Sequence, residues 1–160
     1  MLAEVARKLH FHYMESTGTI GLWCAGRRIA RYKPDRDGSR QFFRVGKYFI
    51  KAEYVFEGFS GQCADEIYTH GQLRQSDKQY FIPLLACSDV AGEGIRWTLF
   101  PWYNLTLANR DTRLYDACYK HVSMLCERYS IDDVKPYFNL NWFIHKSKPL
   151  IVDCGIRRVY

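Results

Sequence analysis

Tyr48-Phe49-Ile50-Lys51-Ala52-Glu53-Tyr54-Val55 is an apolar, β-prone run with a lysine inside it. Aromatic and β-branched residues suit the pleated, half-buried surface of a sheet, so the run predicts a strand. A lysine embedded this way needs an anionic partner, because an unpaired buried ammonium is costly. Upstream, Gly46-Lys47 is a tight connection to a second strand-like run, Gln41–Val45, which makes a two-residue hairpin. Before that, Pro34-Asp35-Arg36-Asp37-Gly38 has turn chemistry and Ile29–Tyr32 reads as a further strand. The three strands predict an antiparallel meander.

Outward from the meander the period changes. Leu2, Val5, Ala6, Leu9 and Tyr13 recur at three- and four-residue steps, which predicts an amphipathic helix over 2–14. The stretch from Gly18 to Gly26 predicts turns. On the other side, Ser60 has the chemistry of a helix cap, and the helix runs to about Leu73 with Cys63, Ala64, Ile67 and Gly71 on one side. Tyr80–Cys87 and Arg96–Pro101 are apolar and strand-like, separated by the turn Ala91-Gly92-Glu93-Gly94. Asp111 is placed to cap a long helix to about Tyr129, with an apolar stripe of Leu114, Cys118, Val122 and Leu125. Trp142–Ile144 and Leu150–Val152 flank a polar turn. The order is helix, three strands, helix, two strands, helix, hairpin: α+β, sheet-rich in its first half.

The 160 residues suit one domain or one domain of two small lobes, and a 48% hydrophobic share excludes a wholly disordered chain. No apolar run approaches the ~20 residues of a spanning helix. The first residues lack the apolar stretch of a signal peptide, so the expectation is a soluble, cytoplasmic protein with no membrane partner. Six cysteines lie far apart, without C-x-x-C, which speaks against structural zinc and, in a cytoplasmic setting, against disulfides. Asn104-Leu105-Thr106 is a glycosylation sequon in pattern only.

The net charge of +6 attracts anions in general, from nucleotides to acidic protein surfaces. Much of it sits in Arg27, Arg28, Arg31, Lys33, Arg36, Arg40, Arg44 and Lys47, either a solvated surface or a phosphate-facing edge. Nucleic acid fits less well, because the aromatic-basic signature of an RNA-binding sheet is missing. No G-x-S-x-G, H-E-x-x-H or G-x-x-x-x-G-K-[ST] occurs.

Glu66 lies fifteen residues after Lys51, inside the helix that follows the strand. Asp132-Asp133-Val134-Lys135-Pro136 directly follows the long helix, and Leu150-Ile151-Val152-Asp153-Cys154-Gly155 is an apolar strand ending in D-x-G. Over roughly residues 27–156 this set of motifs, in this order, resembles the protein-kinase-like fold, in the manner of short phage or bacterial-effector kinase-like proteins. The resemblance implies one domain over 1–160: an antiparallel N-lobe-like sheet with one internal helix over 1–100, and a truncated helical C-lobe over 101–160. It implies ATP and Mg²⁺ as cofactors. Lys51, in the place of the V-A-I-K lysine, would hold the α- and β-phosphates, and Glu66 would orient it. Gly38, Ser39 and Arg40 would belong to the phosphate-covering loop, and Phe100-Pro101-Trp102-Tyr103 would be the hinge beside adenine. Asp133 would accept the proton of the attacking hydroxyl, and Lys135 would screen charge on the moving phosphoryl group. Asn141 and Asp153 would ligate magnesium.

Three departures from the pattern matter. The loop Asp37-Gly38-Ser39-Arg40-Gln41 has one glycine where the family has three, a poorer cradle that Arg40 would supplement with side-chain donors. The position five residues after Asp133 is Phe138, and Asn139 and Asn141 follow; aligning Asn141 with the metal-binding asparagine lengthens the loop by three. The sequence stops five residues after Gly155, before the family's activation segment and substrate-platform helices, so the expectation is either a natural miniature or a fragment. The expected function is a miniature ATP-dependent phosphotransferase with weak or partner-dependent activity. The alternative is a catalytically degenerate kinase-fold protein that binds and inhibits or recruits a partner, an acidic or host protein. Tyr137, Phe138, Trp142 and Phe143 would form an uncovered apolar surface for such a partner or for a second copy, unless the N-terminal helix covers them.

Overall fold

The computed structural model describes residues 2–31, 40–56, 61–89, 94–105, 112–131 and 141–154. These form an α+β structure with antiparallel sheets, divided into two units: residues 1–67 with 84–102, and residues 68–83 with 103–160.

The first unit opens with a short helix, α1 (Leu2–Arg7), and then departs from the expected long helix: β1 (Leu9–Met14) follows directly. Leu9, Phe11 and Tyr13 alternate with His10 and His12, and this two-residue period wins over the helical one once a partner strand is at hand. That partner is β2 (Thr19–Cys24), paired from Leu9↔Cys24 to Met14↔Thr19, so the glycine-containing stretch is a strand rather than a run of turns. Gly18, at φ 62°, makes the left-handed step between the two. A third strand, β3 (Arg27–Ile29), pairs with β2.

The second sheet holds β4 (Gln41–Val45), β5 (Tyr48–Val55), β6 (Ala86–Cys87) and β7 (Gly94–Pro101) in the order β4-β5-β7-β6. The two-residue connection at Gly46-Lys47 is present, with Gly46 at φ 56°. Alternation gives the sheet two faces. Phe43, Ile50, Ala52 and Leu99 are buried in one core with Leu9, Ile20 and Leu22 of the first sheet, each large side chain contributing roughly 1.5–3 kcal/mol of burial. The other face carries Lys51 opposite Thr98 and Glu53 opposite Arg96, and it meets α2 (Gln62–Gln72).

In the second unit α3 (Arg113–Tyr129) is capped by Thr112, whose hydroxyl accepts from the Tyr115 amide at 3.1 Å; Asp111 lies outside the described residues. The buried stripe is Tyr115, Cys118, Val122 and Leu125, while Leu114 is 43% exposed. Tyr115 and Leu114 border Cys118, Val122 and Leu125 on opposite sides, and the tyrosine is the buried one, its ring packing 5.3 Å from that of Trp142. The helix ends at Ser130 in the left-handed region, its amide donating to Cys126 and Glu127 carbonyls.

A hairpin follows, β8 (Trp142–His145) and β9 (Lys148–Ile151), with Lys146 and Ser147 both at positive φ, as its two-residue turn requires. Tyr80–Cys87 is not a single strand. Lys78–Tyr80 is one 3-10 turn, Phe81 bridges Ile151 in the second unit, and only Ala86–Cys87 joins the sheet of the first. Pro83 lies between, and its missing amide suits the break.

Trp142 is 2% exposed, buried in the same core as α3, so it cannot form part of an uncovered patch. Phe143 is half-buried, and Tyr137 and Phe138 lie outside the described residues. Among the described residues, no helix is long and apolar enough to cross a membrane. None of the six cysteines is in a disulfide.

Candidate functional site

Three charged side chains meet inside the first unit. Lys51, in the middle of β5, bonds through its ammonium to Glu66 Oε1 in α2, the ion pair their spacing predicts. Arg40, just ahead of β4, brings Nη1 to 3.3 Å from the same oxygen. The Thr98 hydroxyl, across the sheet from Lys51, donates to Glu66 Oε2 at 3.2 Å. Lys51 Nζ also lies 5.1 Å from the Phe100 ring centroid, within cation–π range. Arg40, Lys51, Glu66 and Thr98 are all more than nine-tenths buried. Such a carboxylate is tolerable only because cations and a hydroxyl replace its water.

The sheet fixes α2 at two points. Glu53 shares the Lys51 face of β5, two residues along, and its carboxylate accepts from the Gln62 amide at 3.0 Å and the Cys63 amide at 2.6 Å. A carboxylate on the first free amides of a helix satisfies orphan donors and complements the helix dipole. Gly61 makes the approach possible, since a Cβ there would collide with the Glu53 carboxylate. One turn further on, the Lys51–Glu66 pair closes the second contact.

Cys63 sits between the two contacts, its thiol 3.7 Å from the Lys51 carbonyl oxygen. Burial pushes that thiol well above its ordinary range, Glu53 and Glu66 push it further, and Arg40 and Lys51 oppose them. It stays a thiol near neutrality and is no nucleophile.

Asn141 and Asp153 belong to the second unit. The Asn141 carbonyl accepts from the Val152 amide at 2.8 Å and the Asp153 amide at 3.3 Å, so the two residues sit side by side at the open end of the β8–β9 hairpin. Both are half-buried. No group of three or more His, Cys, Asp or Glu side chains among the described residues is arranged to hold a metal. Asp133, Lys135, Asn139, Gly38 and Ser39 lie outside the described residues.

Of the expected hinge, Phe100 and Pro101 end β7, and the Trp102 amide donates to the Lys47 carbonyl at 2.8 Å. Arg44 lies 4.5 Å over the Trp102 ring. Tyr103 falls in the second unit, its ring 5.1 Å from that of His145.

Sequence reasoning missed Thr98 and Glu53, and it did not anticipate the contact between Arg40 and Glu66. Glu53 had a readable signal, since it shares a strand face with Lys51. Thr98 had none, because its part depends on strand register. The sequence matches no family model, and no curated protein matches it. Function has to be argued from these side chains themselves.

Proposed function

We propose that the protein is a miniature ATP-dependent phosphotransferase of the protein-kinase-like type, with Lys51 as its phosphate-binding cation. One observation carries this reading: the buried Lys51–Glu66 pair that joins a central strand to the helix behind it. An ammonium held by a carboxylate stays charged and aimed, which is what a group meant for the non-bridging oxygens of a nucleotide requires.

The donor chemistry fits the cofactors. Lys51 and Arg40 are cations and Thr98 is a hydroxyl, all suited to phosphate. Asp153 and Asn141 are oxygen donors of the kind magnesium takes together with phosphate oxygens. The metal, when bound, would neutralise charge on the phosphates. Asp133 would accept the proton of the attacking hydroxyl, and Lys135 would screen charge; these two roles rest on sequence resemblance.

A second reading, a kinase-shaped binding protein without turnover, is favoured by Arg40. The residue expected to compensate for a glycine-poor phosphate loop is engaged with Glu66 instead.

Titration of a fluorescent ATP analogue with and without Mg²⁺ separates the two. A nucleotide-binding protein takes the analogue in an Mg²⁺-dependent manner, loses at least tenfold in affinity in Lys51→Met, and loses the Mg²⁺ dependence in Asp153→Ala. A folded parent protein that binds no nucleotide at millimolar concentration rejects the phosphotransferase and leaves the binding-protein reading.

A further inference from the structure

We propose that the first unit carries a second ligand site, on the sheet face opposite Lys51: a cavity of about 310 Å³ that takes a small organic monoanion with an apolar body. Phe43 and its partner Ile50 face this side of the β4–β5 pair, and Lys51, the next residue along β5, faces the other. The site is therefore separate from the cluster around Glu66.

The cavity follows from how the chain connects the two sheets. The strand β3 pairs with β2 as far as Leu22↔Ile29, and two residues later Arg31 bridges Phe43 of β4. A chain that leaves one sheet for the other holds the sheets apart at that corner. Met14, Ile20 and Gly21 of the β1–β2 hairpin line it, together with Ile29 and Phe43. The two sheets are also tied at a fixed spacing: the Ile20 amide donates to the Gln41 side chain at 2.9 Å, a bond that collapse of the cavity would break.

Charge selects the occupant. Among the described residues of the lining, Arg28 and Arg31 are the charged ones and none is acidic. Arg28 is steadied by an aromatic ring rather than a carboxylate, its guanidinium lying 5.7 Å from the centroid of Trp23. Trp23 in turn lies over Gly21, where any Cβ would collide with the ring. Two exposed arginines at the border of an otherwise apolar lining match one carboxylate, sulfonate or phosphate head on a hydrophobic body. The volume is at the low end of small-molecule sites, which limits that body to two or three rings or a short chain. The basic run Arg27-Arg28 with Arg31 thereby gains a role that the Glu66 cluster does not give it.

The test uses two fluorescent probes of nearly the same shape, the anionic 1-anilinonaphthalene-8-sulfonate and the uncharged N-phenyl-1-naphthylamine. The parent protein is expected to take one molecule of the sulfonate saturably. The double variant Arg28→Gln/Arg31→Gln should lose at least tenfold in sulfonate affinity while binding the uncharged probe within twofold of the parent. Ala30→Trp, which fills the cavity from its lining, should remove both. The single changes Arg28→Gln and Arg31→Gln, at exposed positions, keep the test available should the double variant fail to fold by circular dichroism. Unsaturable sulfonate binding, or an affinity that the arginine changes leave intact, overturns the proposal.

Discussion

Among the described residues each unit holds a cluster of charge around one buried carboxylate, Glu66 in the first and Asp77 in the second, and the two are built differently. In the first, Lys51, Arg40 and Glu66 meet where water does not reach. In the second, the Asp77 carboxylate accepts from Arg128 Nη1 at 2.7 Å, the Tyr129 hydroxyl at 2.6 Å and the Ser76 hydroxyl at 3.2 Å. The same Tyr129 oxygen accepts from the Arg74 amide at 3.0 Å, so the cluster ties the segment ahead of the 3-10 turn to the last turn of α3. The Arg128 side chain remains 32% exposed and keeps part of its hydration. That is a clamp: polar, locally satisfied and cheap to form. A dehydrated ion pair is different, because removing water from both charges cancels most of their attraction. Stability alone gives little reason for Lys51 and Glu66 to be buried together, whereas a need to hold a cation in one place does.

The largest effect expected from breaking this contrast is in Glu66→Ala. Lys51 and Arg40 then lose the carboxylate they share, and loss of one side of a buried ion pair costs about 3–5 kcal/mol. Lys51→Met should cost less, since Arg40 and Thr98 still serve Glu66. Urea unfolding of the two variants measures the gap. Equal losses would mean that Arg40 does not share the charge, and the three-membered cluster would have to be abandoned.

Asp77→Asn comes next, at about 1–3 kcal/mol for a buried acceptor left partly unsatisfied. It also carries a pH signature. Chiefly the Tyr129 hydroxyl, then Arg128 and Ser76, hold the Asp77 carboxyl below its ordinary 3.8, against the opposing pull of burial. A depressed acid stabilises the fold above its unfolded value and loses that contribution as the pH falls through the folded one. The parent should therefore lose stability below about pH 3.8, and Asp77→Asn should show a flatter acid limb. Parallel acid limbs would show that Asp77 gains nothing from its partners.

How much of this was readable depends on the range of the interaction. The strands Gln41–Val45 and Tyr48–Val55 and their hairpin follow from local pattern and turn chemistry, and the structure has them. The Lys51–Glu66 pair was legible because a strand and the next helix in sequence are neighbours and a buried lysine needs an acid. The start of the chain was not, since Leu9 and Tyr13 satisfy both a helical and an alternating period until β2 selects one. The part of Thr98 and the choice of Tyr115 over Leu114 are set by tertiary contacts with no local mark. Arg40 had a cationic role assigned from its loop, but which anion it meets is decided by a helix twenty-odd residues further on.

Arg128→Gln should give the smallest loss, a fraction of that in Asp77→Asn, and it sharpens the contrast by salt rather than by size. Its cation keeps contact with water, so part of the attraction to Asp77 is already screened, and Tyr129 and Ser76 still occupy the carboxylate after the change. Glutamine also keeps an amide donor near the site. At low ionic strength the variant should be measurably weaker than the parent. In about 1 M salt, where the screening length shrinks to roughly 3 Å, the two should converge. Glu66→Ala should behave in the opposite way, its deficit almost unchanged by salt, because ions cannot enter where water cannot. Measuring both variants across the same salt series therefore tests the distinction itself. A salt-insensitive loss in Arg128→Gln would make the Asp77 cluster as sealed as the one around Glu66, and dehydration could then no longer mark one of them as the functional site.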